Sequence, residues 1–178
     1  KQVVDTKAKV KVSLIAVKPK AKGGFQLWEG GPIWAETNLG DAEQGGPAEY
    51  GALYTFDNAT NEVAKLGDGW RLPTRTEFDA LISNCGKGEW TNHNGVYGCL
   101  FKGTGDYASK SIFLPAAGSN TGSGSGRKDA GVRGDYWSST EKNATYTYSL
   151  FFNEKSGASV GSYLRDYGLP VLVVRDAK

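Results

Sequence analysis

The chain has 178 residues, 22% of them charged, and a formal net charge of +2. That length suits one core with room for an appended arm, and so small a net charge creates no field that would draw in nucleic acid or an anionic membrane without specific contacts. Apolar runs such as Val171–Val174 fall far short of a membrane-spanning helix, and no signal-peptide pattern opens the chain.

Methionine is absent even at position 1, which reads as a processed or trimmed chain. With 25 glycines, five tryptophans and nine tyrosines, the composition favours strands and ordered loops over a helical bundle. Lys9–Pro19 alternates charged and apolar residues up to Leu14 and then turns apolar, as a half-buried strand does. It precedes a glycine break and has no nearby hairpin partner. It reads either as part of an arm, residues 1–29, pairing elsewhere or on another subunit to make a homo-oligomer, or as an ordinary edge strand of the domain at 30–178.

A first helix is expected within Tyr54–Gly69, capped by Asp57 or Asn58, with Ala59, Val63 and Ala64 inward and Gly67 ending it. A second follows Pro73, where Thr74 and Glu77 form a capping box and Phe78, Leu81 and Ile82 share a face. After Cys85 the chain reads as strands at Gly95–Lys102, Ser111–Pro115, Tyr136–Thr140, Thr147–Phe152 and Leu169–Val174. Ala117–Arg133 between them reads as loop. Helices first and strands afterwards make an α+β order.

Catalytic and metal motifs are sparse. His93 is the sole histidine and reads as a turn residue in "TNHNG"; no nucleophile elbow accompanies it. Two cysteines fourteen apart match no zinc spacing, and the glycine-rich Gly122–Gly126 lacks the strand-to-helix setting of a phosphate loop. No EF-hand loop is present, which leaves open an irregular calcium site assembled from carboxylates and carbonyls. No cofactor is expected. Cys85 and Cys99 would close a loop of about fifteen residues, worth ~3 kcal/mol as a disulfide, and buried free thiols are the alternative. The "RGD" at Arg133–Asp135 reads as a solvent-facing turn rather than an adhesive motif.

Six stretches occur in a familiar order: "GPIWAETNLG" from Gly31, "YGALYTF" from Tyr50, "GWRLPTRTEFDALI" from Gly69, "SIFLPAAG" from Ser111, "YWSST" from Tyr136, and an R-x-x-G-L-x-V pattern from Arg165. Over roughly Gly30 to Arg175 the chain resembles the Fibrobacter major paralogous domain of gut Bacteroidetes and their phages. The resemblance implies a C-type lectin-like fold in the formylglycine-generating-enzyme-like variant, with two helices and mixed antiparallel sheets. It also implies that Trp137 packs inside while Tyr136 lies near a ligand-facing edge.

Fold relatives suggest three functions. Formylglycine-generating oxidoreductases bind copper through a late cysteine pair, whereas Cys85 and Cys99 lie mid-chain; calcium-dependent lectins carry EPN-like or QPD-like and WND-like motifs that this chain lacks. The variable proteins of diversity-generating retroelements fit better. Trp137, Leu150, Phe152 and Arg165 match their fixed anchors, and Ser156–Gly168 contains none of Lys, Glu, Gln, Met or Trp, which adenine changes in an asparagine codon do not reach. The expectation is a non-catalytic binder of a host-surface protein or glycan, extracellular on a virion or cell surface, with an undiversified lectin or adhesin as the runner-up and a formylglycine-generating-type oxidoreductase, which copper binding by Cys85 and Cys99 would revive, as the enzyme-class alternative.

Its expected contact residues are Asp135, Tyr136, Asn143, Tyr146, Ser149, Phe151, Asn153, Ser159, Ser162, Tyr163, Asp166 and Tyr167. Alternation along Thr145–Phe152 and a loop from Asn153 to Tyr163 would gather Tyr146, Ser149, Phe151 and Tyr163 beside Asp135 and Tyr136. Tyrosine supplies rigid contact area and serine adaptable hydrogen bonds, as in antibody paratopes. Roughly a third of these positions are expected to pack the fold instead, because tyrosine is often half-buried.

Overall fold

The computed structural model describes residues 23–42, 46–121 and 126–178. The strand expected at Lys9–Pro19 lies outside them, as does most of Gly122–Gly126. Among the described residues the chain is mixed α+β, with two α-helices and three antiparallel sheets of three strands each. No helix there is long and apolar enough to cross a membrane.

The first sheet joins the two ends of the domain: β1 (Phe25–Gln26) pairs with β2 (Ile33–Trp34), which pairs with the strand β9 (Val174–Arg175). Leu27 has no exposed surface, so residues assigned to the arm by a boundary at 30 are already part of the packed domain. The apolar run before β9 is not a regular strand. Instead it threads the core, its Val173 and Val171 carbonyls accepting from Ala35 and Leu39 and its Leu169 exchanging both bonds with Tyr54. Neighbours on every side explain why the run shows no alternation.

Helix α1 (Phe56–Ala64) begins earlier than expected: Thr55, not Asp57 or Asn58, caps it by accepting from the Asn58 amide. Phe56 turns inward, where its ring meets Trp137 edge-on at 5.8 Å. Ala59 and Val63 are buried, but Ala64 is exposed. Helix α2 (Arg75–Cys85) carries the expected capping box, with Glu77 N donating to Thr74 Oγ1 at 3.1 Å and Thr74 N donating to Glu77 Oε2 at 2.8 Å. Phe78 and Leu81 are buried and Ile82 is half-buried.

The second sheet is β3 (Glu89–His93), β4 (Val96–Lys102) and β5 (Ser111–Pro115). Asn94 and Gly95 both have positive φ, which suits the twist of the β3–β4 hairpin. His93 is therefore the last residue of a strand, paired with Val96, and its ring lies 5.4 Å from that of Phe113.

The third sheet is β6 (Arg133–Glu141), β7 (Tyr146–Asn153) and β8 (Gly157–Leu164). The loop expected from Asn153 to Tyr163 is mostly β8. Its glycines, alanine and serines carry little strand propensity, and pairing along the whole of β7 overrides that. Tyr136, Trp137, Leu150 and Phe152 from this sheet join Trp34, Phe78, Leu81, Phe101 and Leu114 in one core.

Candidate ligand-binding surface

Strand β6 reaches the core with "YWSST", and the polar end of that stretch ties it to the start of α2. Ser139 N donates to Pro73 O at 2.7 Å, and Thr140 Oγ1 accepts from Arg75 N at 3.0 Å. Ser138 Oγ accepts from Thr140 N at 3.0 Å. The pairing of β6 with β7 is irregular between Trp137 and Glu141, which frees these groups to face the helix. Trp137 Nε1 donates to Tyr54 O at 2.7 Å. The hydroxyls after the aromatic pair thus serve the scaffold.

Directly paired residues of neighbouring strands share a face of the sheet. By this register Asp135, Phe151 and Ser159 lie on one face with Ser149, Gly161, Thr147 and Tyr163; Tyr136, Leu150 and Val160 lie on the other with Tyr146, Leu164 and Ser162. The expected single patch is therefore divided between two faces. Tyr146 and Ser162 are on the side of Tyr136, and Ser162 Oγ accepts from Lys142 Nζ at 3.2 Å.

Burial corrects three more positions. Tyr136 is fully buried rather than at an edge, its hydroxyl donating to Pro115 O at 2.7 Å and accepting from Asn38 Nδ2 at 3.0 Å; burial raises its pKa. Ser149 and Asp135 are also buried. Asn143 and Asn153 are turn-formers: Asn143 Oδ1 accepts from the Thr145 and Tyr146 amides, and Asn153 Oδ1 from those of Lys155 and Ser156. Asp166 is exposed after β8, and Tyr167 stands beside Tyr163 with ring centroids 5.1 Å apart.

What remains together is a cluster centred on Arg133, which is absent from the expected contact residues. Arg133 Nε and Nη2 both bond the Asp135 carboxylate at 2.8 Å, and the guanidinium lies 4.8 Å from the Phe151 ring centroid and 5.9 Å from that of Tyr163. "RGD" is thus strand rather than solvent-facing turn. Burial raises the Asp135 pKa despite the opposing Arg133 fork, while that hydrogen-bonded carboxylate raises the pKa of Arg133. Extending β6 back from Tyr136 along the sequence would have placed Arg133 and Asp135 on one face.

Beside this cluster Ser159 and Gly161 are exposed, and a Cβ at Gly161 would meet nothing within 4 Å. The surface is therefore open between Ser159 and Tyr163. Further along, Arg165 Nη1 and Nη2 pair with Glu141 and Asp57, each at 2.8 Å, and its guanidinium covers Phe56 at 4.7 Å. With Asp57 and Glu141 it lines both a groove of about 580 Å³ that includes Trp70 and one of about 810 Å³ that includes Asp166.

Cys85 and Cys99 are free thiols, pushed by burial up to about 11 and about 12 respectively. A metal taking them at neutral pH would first have to displace their protons. Among the described residues no three His, Cys, Asp or Glu side chains are grouped to hold a metal ion. In comparison with known proteins, no family model and no curated protein matches the chain.

Proposed function

We propose that the chain is a ligand-binding module of C-type lectin-like fold, related to the Fibrobacter major paralogous domains, that contacts its target through the outer face of the β6-β7-β8 sheet. The observation that carries this reading is the Arg133, Phe151, Tyr163 and Tyr167 cluster beside the open surface at Ser159 and Gly161. Aromatic rings held by a guanidinium present rigid contact area at small entropic cost. Trp137 on that face and Leu150 and Phe152 on the opposite one are fully buried, and on this reading they hold the scaffold while the exposed positions vary. On this reading the protein acts without catalysis at a virion or cell surface, as the diversified binder of a retroelement, and its target is a host-surface protein or glycan.

Sequencing the genomic neighbourhood and population alleles tests it. The expected result is a near-repeat beside a reverse transcriptase, with adenine-only mismatches concentrated at outer-face positions such as Phe151, Ser159, Tyr163 and Tyr167. An invariant Gly134–Gly168 region with no repeat would remove diversification from the proposal and leave a fixed lectin-like binder.

A further inference from the structure

We propose that the groove of about 580 Å³ between α1 and the end of β6 holds a neutral sugar residue of an oligosaccharide, at a site separate from the Arg133 cluster and independent of what the outer sheet face binds. Its apolar lining comes from the buried Phe56, Val63 and Leu72 and the half-buried Trp70. The Arg175 guanidinium lies 4.8 Å from the Trp70 ring centroid, which restrains that ring. A pyranose carries C–H groups on its faces, which pack against an indole, and hydroxyls on its rim, which need hydrogen-bonding partners.

The polar lining supplies those partners in planar, already positioned form. Arg165 donates from Nη1 to Glu141 Oε2 and from Nη2 to Asp57 Oδ1, each at 2.8 Å. Asp57 Oδ2, Glu141 Oε1 and the Asn61 side-chain amide have no partner among the described residues and line the same groove. Groups held before the ligand arrives cost little to order on binding.

Charge selects the ligand class. Arg165 lies between two carboxylates, so an anionic sugar would meet Asp57 and Glu141, and a cation would meet Arg165. Arg71, also on the lining, is taken up by Glu77 and Asp176. A hydroxyl alone suits the whole set, because it donates to a carboxylate and accepts from a guanidinium or an amide. Among the described residues no three metal-ligating side chains are grouped to hold an ion, so direct hydrogen bonds hold the sugar. The volume falls within the range of small-molecule sites, about 300–1,000 Å³. The groove of about 810 Å³ shares Asp57, Glu141 and Arg165, so a second sugar residue can continue past the ion pair.

Titration of the isotope-labelled chain with maltopentaose, cellopentaose and mannopentaose, followed by NMR, tests this. At least one of these neutral sugars is expected to move the Trp70 indole N–H and Asn61 side-chain amide signals, equally with calcium and with EDTA. Asn61→Ala, at an exposed position of α1, should weaken that binding roughly tenfold. Ala64→Trp, also exposed and on the lining, should fill the groove and abolish binding with the thermal midpoint nearly unchanged. Gly161→Trp, on the outer sheet face, should titrate like the parent, which tells loss of this site from loss of the outer-face contact. No movement of the Trp70 and Asn61 signals with any of the three sugars would overturn the proposal. So would binding that survives Ala64→Trp, that requires calcium, or that an acidic galacturonan pentamer matches in affinity.

Discussion

Thr140 and Arg75 are joined by a hydrogen bond of 3.0 Å from the Arg75 amide to the Thr140 hydroxyl, so a residue of β6 satisfies an otherwise free donor in the first turn of α2. Thr140→Val keeps the shape and removes the acceptor. It is expected to cost about 1 kcal/mol in denaturant unfolding, and an unchanged midpoint would show that water replaces the hydroxyl.

Glu77 sets an acid limit on stability. Burial raises its pKa, but the Arg71 fork and the Thr74 amide and hydroxyl outweigh that and hold it below the ordinary carboxylate value. A depressed folded-state pKa contributes stability that is present above the unfolded value, about 4.3, and is lost as pH falls through the folded value. Glu77→Gln should lower stability at neutral pH and flatten its decline below about pH 4. Parallel curves of thermal midpoint against pH for the two proteins would contradict this assignment.

The two roles within the C-terminal sheet separate by mutation. Trp137→Ala empties a fully buried site and should cost roughly 3–5 kcal/mol. Tyr163→Ala should cost about 1 kcal/mol or less, because the ring is only partly buried, yet weaken target binding. Gly161→Trp should leave the thermal midpoint nearly unchanged and block binding by filling the open surface. Binding that survives both Tyr163→Ala and Gly161→Trp would place the contact elsewhere.

The thiols give a chemical test. Burial raises Cys85 to about 11 and Cys99 to about 12, so both are protonated near neutral pH and react slowly. Alkylation of the native protein there should be slow, with Cys99 the slower, and denaturation without reductant should expose two reactive thiols. A mass that stays unlabelled after denaturation would reveal a disulfide.

Features that depend on neighbours along the chain were legible from the residues alone. The capping box at Thr74 and Glu77, the inward Phe78 and Leu81, and the strand Ser111–Pro115 belong here, because caps and periodicity are local. Other features depend on residues far apart in sequence. Gly157–Leu164 is a strand because β7 lies beside it, and its small residues would not extend unaided. The register across β7 separates Tyr146 from Phe151, and packing buries Tyr136, Asp135 and Ser149. A tyrosine or serine carries the same letter whether it meets a ligand or a carbonyl, and the partner across the sheet decides which.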